Sequence, residues 1–399
     1  MLLKAQQDFA LHHYSDEIYD KFLRDLDNDV GMHIEYRVCE MPILQSYSLK
    51  QKLEQSATDI TLECMGSAHL QASGSSLKRE YTVPGDETKP LFVIVDFAIT
   101  GDQERGWTPK VVELQGFPSL YGYQYILSKR MMATYPYLQE QFTHTFSNLD
   151  DEQYLDYVRR AIVGDCHPDE VALLEIDPLT QKTRPDFCMV QKLFGVQETN
   201  IRHIRKEGKR LFHERNGQWV PIRRVFNRTI IDELDDMGVE IPFRWTDELD
   251  IEWAGHPNWY FRISKHSLPH LHHHSVPKAT LLSELTTIPD NLEPFVLKPL
   301  FSFAGKGVNI HPTKQDIDAI PAHEYDTWVL QERIDYAECI YTPHGMNKVE
   351  VRVMSLWLPE WEKPLPVMSL ARTGRGPMMG VRFNSVPWTG SSVCLFEKP

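Results

Sequence analysis

The chain of 399 residues is long enough for two or three subdomains around a large core, and its apolar and charged fractions are those of an ordinary globular protein. Its 26 prolines are spread out and no fixed-period repeat occurs, which excludes low-complexity and solenoid readings. A net charge of −14 repels a phosphate backbone at long range and argues against a nucleic-acid partner.

The opening "MLLKAQQDFALHHYSDEIYDKF" mixes charge into its apolar positions, so it reads as neither signal peptide nor membrane span, and no later stretch reaches span length. A cytoplasmic protein without a membrane partner is expected. The six cysteines, at 39, 64, 166, 188, 339 and 394, form no C-x-x-C pair and suit a reducing compartment.

Spaced apolar positions predict helices over 5–28 and roughly 46–64, with "CEMP" breaking the chain between them. "PLFVIVDFAIT" and "KVVELQG" read as strands joined by the turn-rich "GDQERGWTP", a hairpin. Residues 122–162 read as helical. From 165, "EVALLEI", "DFCMVQKLFG", "WVPIRRVFNR" and "IDELDDMG" alternate short apolar strands with helical or turn segments, the texture of an α/β subdomain. "FVLKPLFSFAGKGVNI" and "TWVLQERI" read as strands flanking a glycine-rich turn. "NKVEVRVMSLWL", "LPVMSLARTG" and "SSVCLFE" read as further strands.

Within the hairpin, period-2 alternation puts Glu113 and Gln115 on one face, and Asp96 on the neighbouring strand can reach the same side. Three oxygen donors together suit magnesium, which takes a few hard oxygens and completes its shell with water and phosphate. Two solvent-facing polar residues give the same E-x-Q pattern. Lys298 leaves an apolar strand for a turn containing Gly305 and Gly307, where a lysine and exposed backbone N–H groups meet phosphate, or where a surface loop simply passes. The strand "WVLQERI" ends in polar residues and suits a nucleotide base against its backbone edge. Arg352 and Arg372 interrupt apolar strands, so each needs an anion, which is either a phosphate or a structural carboxylate.

This set of motifs resembles the ATP-grasp superfamily. "NWYFRISKHSLPHL" and "VLKP" resemble the segments carrying its two phosphate-binding lysines, which implies Lys265 and Lys298, with Gly305 and Gly307 in the lid. "LQERI" resembles its adenine hinge, implying Gln331, Glu332, Arg333 and Ile334 around the base and Asp335 or Glu338 near the ribose. "EVRV" and "ARTGRGPMMGVRFNSVPWTGSS" resemble its arginine strand and covering loop, implying catalytic roles for Arg352, Arg372 and Asn384, with Gly390 closing the loop. "VDFAI…VVELQGFPS" resembles its metal hairpin, implying Asp96, Glu113 and Gln115 as magnesium ligands.

In most of the superfamily the metal hairpin follows the covering loop, whereas here it precedes everything else. That order resembles the circularly permuted branch of eukaryotic-type glutathione synthetase and glutathionylspermidine synthetase. The implied fold is α+β or α/β: a permuted ATP-grasp fold with an inserted pre-ATP-grasp-like substrate subdomain. The expected parts are 1–150 (helices and metal hairpin), 151–265 (substrate subdomain), 266–340 (lid and hinge) and 341–399 (remaining strands and covering loop).

Two positions differ from the family pattern. Gln115 stands where E-x-N is usual, and no acid follows Lys298-Pro299, where some permuted relatives carry one. The resemblance implies an ATP- and magnesium-dependent ligase joining a small-molecule carboxylate to an amine through an acyl phosphate. A non-catalytic or regulatory ATP-binding protein is the alternative, and a kinase-like phosphotransferase a third. "PHLHHHSVPK" reads as a solvated loop, because consecutive histidines cannot all converge on one metal. Tyr121, Tyr123 and Tyr125 read as pocket-lining or packed. Arg223, Arg224 and Arg228 read as a carboxylate receptor or as ion pairs.

Overall fold

The computed structural model describes residues 1–300, 307–380 and 385–399; the side chains of Asp232, Asp235 and Asp236 fall outside that description, as do Gly305 and Asn384. The expected first helix is broken. Leu3–Asp8 runs into a π-helical turn, Phe9–His13, and helix α1 starts afresh at Asp16–Val30. The cause is a strong internal start signal: Ser15 Oγ accepts from Ile18 N at 3.2 Å, and Asp16 and Glu17 sit in the first turn. Helix α2, Tyr47–Glu63, lies where the apolar spacing predicts it.

Strands β1 (Phe92–Asp102) and β2 (Gly106–Gln115) form the expected antiparallel hairpin. Its turn depends on Gly101, at φ 89°, where an added Cβ would stand 2.3 Å from the Gly106 carbonyl oxygen. The expected 122–162 helix is two helices, α3 (Tyr121–Thr134) and α4 (Asp151–Val163). Ser147 and Asn148, both at positive φ, turn the chain, and an Asp150–Gln153 capping box restarts it.

Next comes a parallel sheet containing β3 (Val171–Glu175), β4 (Arg224–Asn227) and β5 (Glu252–Ala254), in the order β5-β4-β3 with Glu198–Asn200 beyond β3. Helix α5 (Arg184–Phe194) packs against α3 and α4 beside this sheet. An antiparallel sheet then pairs β6 (Phe295–Pro299) and Ala279–Leu281 on either side of β7 (Trp328–Glu332).

Finally β8 (Gly345–Leu356) and β9 (Leu365–Gly374) complete the largest sheet, ordered Gly390–Ser392, β9, β8, β1, β2. The hairpin from the front of the chain therefore lies directly against strands from its end. Alternation along β1 explains why this sheet carries a site. Val93, Val95, Phe97 and Ile99 face a core shared with Leu49, Leu53, Ala57 and Ile60 of α2. On the opposite face Phe92 and Ile94 join Met354, Leu356 and Leu370 in a second core, and the next residue in that row is Asp96. There the face turns from apolar to charged, and a cleft begins.

Candidate functional site

Register assembles the floor of the cleft. Asp96 on β1 stands opposite Glu113 on β2 and Arg352 on β8, while Glu350 on β8 stands opposite Arg372 on β9. Asp96 is 2% exposed, and its oxygens accept from Arg352 Nε and Nη2 at 2.7 Å each and from Arg372 at 3.4 and 3.5 Å. Burial alone would raise its pKa, but the two guanidiniums outweigh that and hold the carboxyl below its usual range. Arg352 Nη1 also donates to Ser119 Oγ at 3.1 Å. The expectation that Asp96 ligates a cation meets this arrangement directly: its lone pairs are taken by two arginines, so its role in the floor is to pair them.

Glu350 is a site residue that the sequence reading missed. It accepts from Arg372 Nη1 and, at 3.0 Å, from Tyr336 OH, and burial, opposed by Arg372, raises its pKa. Its signal was present: Glu350 lies two residues before Arg352 on one strand, hence on the same face.

A bulge between Asp96 and Phe97 leaves Val112 out of the ladder, and Lys298 Nζ donates to its carbonyl at 3.2 Å and to Gln331 Oε1 at 2.9 Å. Both of these partners are neutral. Burial pushes the Lys298 ammonium down to about 8, with Glu113 and Glu350 opposing and Lys265 adding to the shift. Lys265, 4% exposed at the start of the 3₁₀ helix Lys265–His270, is lowered by burial with Glu113 again opposing. Glu113 thus acts on both buried ammonium groups, and Glu350 acts on Lys298 as well.

The cleft has a volume of about 1380 Å³, and Glu113, Gln115, Lys265, Lys298, Gln331, Arg333, Ile334, Arg352 and Arg372 are on its wall. Several of the expected groups already have protein partners. The Gln331 amide oxygen is turned to Lys298, and the Arg333 N–H is committed to the Pro294 carbonyl at 2.7 Å. Glu332 is exposed and accepts from Lys278 N; Glu338 is also exposed, leaving Asp335 and Tyr336 on the wall instead. Gly307, at φ 74°, packs on Pro299.

Ser119, Glu175 and Arg228 also line the cleft. Arg228, 5% exposed, pairs with Asp186 at 2.7 Å, and Asp186 also accepts from Gly122 N and Tyr123 N at the start of α3. The Arg228 Nε is buried without an acceptor among the described residues. Burial pushes the Glu175 carboxyl up to about 8. The other two arginines of that cluster are structural. Arg224 donates to the Ala161 and Ile162 carbonyls ending α4, and Arg223 pairs with Glu170. The tyrosines are packed and buried: Tyr121 OH donates to the Ser355 carbonyl, Tyr123 meets Tyr36 edge-on and Tyr125 stacks on Tyr154.

Magnesium is the metal that the resemblance implies. Glu113 and Gln115 suit it, because their polar ends meet, with Gln115 Nε2 2.8 Å from Glu113 Oε1, and one carboxylate with an amide oxygen is a donor set that phosphate and water complete. Asp96 does not suit it for the reason given above. Among the described residues no group of three or more His, Cys, Asp or Glu side chains could hold a metal ion, and the amides of His272 and His273 are tied to the Glu63 carboxylate.

No protein-family model matches the chain, and no curated protein matches its sequence. A solved structure does match: a glutathione synthetase-like effector from Globodera pallida in its apo form, with a TM-score of 0.58 over 96% of this chain and 98% of that one, at 10% identity. The chain has a glutathione synthetase-like fold. At 10% identity the relationship is distant, and the likeness is one of fold. The ATP-grasp-like fold expected from the motifs agrees with it. Among the described residues no helix is long and apolar enough to cross a membrane.

Proposed function

We propose that this chain is an ATP-dependent carboxylate–amine ligase built on a circularly permuted ATP-grasp fold. The observation that carries the reading is Lys298, a buried ammonium whose hydrogen-bond partners among the described residues are a neutral amide and a neutral carbonyl, with Lys265 and Glu113 close enough to act on its charge. A buried cation so poorly compensated favours an anionic ligand. A nucleotide's phosphates would supply one, with the base toward Arg333 and Ile334.

In this reading the acceptor acid lies toward Arg228, a guanidinium on the cleft wall that pairs with Asp186 through Nη1 and leaves its remaining N–H groups for a substrate carboxylate. Its attacking oxygen takes the γ-phosphoryl group as ADP leaves. An amine nitrogen then attacks the acyl carbon, phosphate leaves and the nitrogen loses a proton, giving the amide. Lys265 and Lys298 hold the phosphates in line. Glu113 and Gln115 would hold magnesium, which neutralises phosphoryl charge when bound with the nucleotide.

A second reading, nucleotide binding without catalysis, is favoured by Asp96 and Glu350, because arginines already occupy both carboxylates. ADP release from ATP, screened across carboxylate and amine pairs, separates the readings. Release that requires both substrates supports the ligase; release with an acid alone and a stable phosphorylated product means a phosphotransferase. Bound ATP with no turnover across the screen means the non-catalytic reading.

A further inference from the structure

Lys265 is carried by a short 3₁₀ helix, and three histidines fill the joint behind it. His69 lies on the helix Ser67–Ser73, and His266 and His270 lie on Lys265–His270 itself. His69 and His266 are 2% and 5% exposed, and the rings of His266 and His270 are 5.2 Å apart. Among the described residues neither nitrogen of His69 makes a hydrogen bond of good geometry, nor do His266 Nδ1 and His270 Nε2. His266 Nε2 stands 3.4 Å from Ser75 Oγ.

The surroundings offer these rings little countercharge. Glu63, at the end of α2, acts on His69 from a distance, but its carboxylate is committed to the amides of His272 and His273. Asp59 lies 4.0 Å from His273, Arg262 is paired with Asp86, and Cys64 is a buried neutral thiol whose backbone offsets only part of the His69 burial cost. Lys265 adds a further positive charge on the same helix. Burial lowers the pKa of His69 and pushes His266 down to about 4; His270 adds to both shifts and His69 adds to that of His266.

We propose that His69, His266 and His270 form an acid-sensitive latch, in which protonation drives the two helices apart and withdraws Lys265 from its place opposite Glu113. The sign follows from linkage. A ring that binds protons more weakly in place than when exposed favours the opened state as pH falls from about 6.5 toward 4. For His266 alone, the opening equilibrium at pH 5 is about 20-fold larger than at pH 7. The consequence for nucleotide binding rests on the ligase reading above, whereas the opening itself does not.

The test is hydrogen–deuterium exchange of the full chain at pH 7 and pH 5, corrected for intrinsic rates, on wild type and on His69→Gln combined with His266→Asn. Wild type is expected to lose protection at least 10-fold in segments 67–76 and 262–271 at pH 5 while the sheet β1-β8-β9 keeps its own; the double variant keeps protection in both segments. Should the double variant fail to fold, His266→Asn alone is read in the same way. Protection unchanged in wild type, or lost equally in the variant, overturns the proposal. ATP affinity is measured on the same samples. A fall of 10-fold or more at pH 5 in wild type, beyond any fall in the variant, supports the coupling to Lys265, and opening without that fall overturns it. Absence of ATP binding at both pH values removes the ligase reading, and the exchange data still decide the latch.

Discussion

Arg352 grips Asp96 through two parallel hydrogen bonds of 2.7 Å, and Arg372 reaches the same carboxylate at 3.4 Å from the neighbouring strand. This buried cluster fixes the orientation of both arginines under the cleft. Removing one partner of a buried pair costs about 3–5 kcal/mol. Asp96→Asn should lose about that much unfolding free energy in urea, and a loss below about 1 kcal/mol would contradict the pairing. Because the folded pKa lies below the unfolded value, the contribution is fully present above about pH 4 and is lost as pH falls through the folded pKa.

Glu350 should behave in the opposite way. Its pKa is raised by burial, so its contribution to stability is greatest at low pH and declines as pH rises through the folded value. Glu350→Gln preserves an uncharged partner for Tyr336 and should cost clearly less than Asp96→Asn at pH 7. Equal costs for the two variants would show that both acids act as ionised anchors.

Lys298 is expected to trade stability for binding. A base whose folded pKa is lowered to about 8 destabilises the fold at neutral pH, and that penalty fades as pH rises from about 8 toward 10.5. Lys298→Met should therefore raise the melting temperature at pH 7 while weakening ATP binding at least 10-fold. A variant that is less stable and binds ATP normally would place the lysine in the core and not in the site.

Arg228 tests the acceptor half of the proposed reaction. Arg228→Leu should leave ATP affinity within about two-fold, since the lysines and Glu113 are elsewhere on the wall, yet abolish carboxylate-dependent ADP release. Unchanged turnover would remove the acceptor role assigned to it.

Much of this arrangement was legible in the sequence because it is local. Period 2 put Glu113 and Gln115 on one face, and the "VIVDF" and "VVELQ" runs paired as expected, with Asp96 opposite Glu113. The partners of Asp96 were not legible, because Arg352 and Arg372 lie 256 and 276 residues away and only the sheet brings them beside it. Glu350 was missed although E-x-R on a strand places both side chains on one face. The Gln331 amide was expected near a base, but its orientation is set by Lys298, from a different strand. The break before Ser15 was readable as an N-cap signal and was overridden by apolar spacing that runs through it.

The central claim is a phosphate site opposite Glu113, and calorimetry of ATP binding to wild type and Glu113→Gln, with magnesium and with EDTA, tests it most directly. Magnesium should tighten ATP binding to wild type at least 10-fold and have little effect on Glu113→Gln, while the two proteins bind alike in EDTA. Wild-type protein that binds no ATP up to millimolar nucleotide would contradict the claim. So would a magnesium effect that is undiminished in Glu113→Gln.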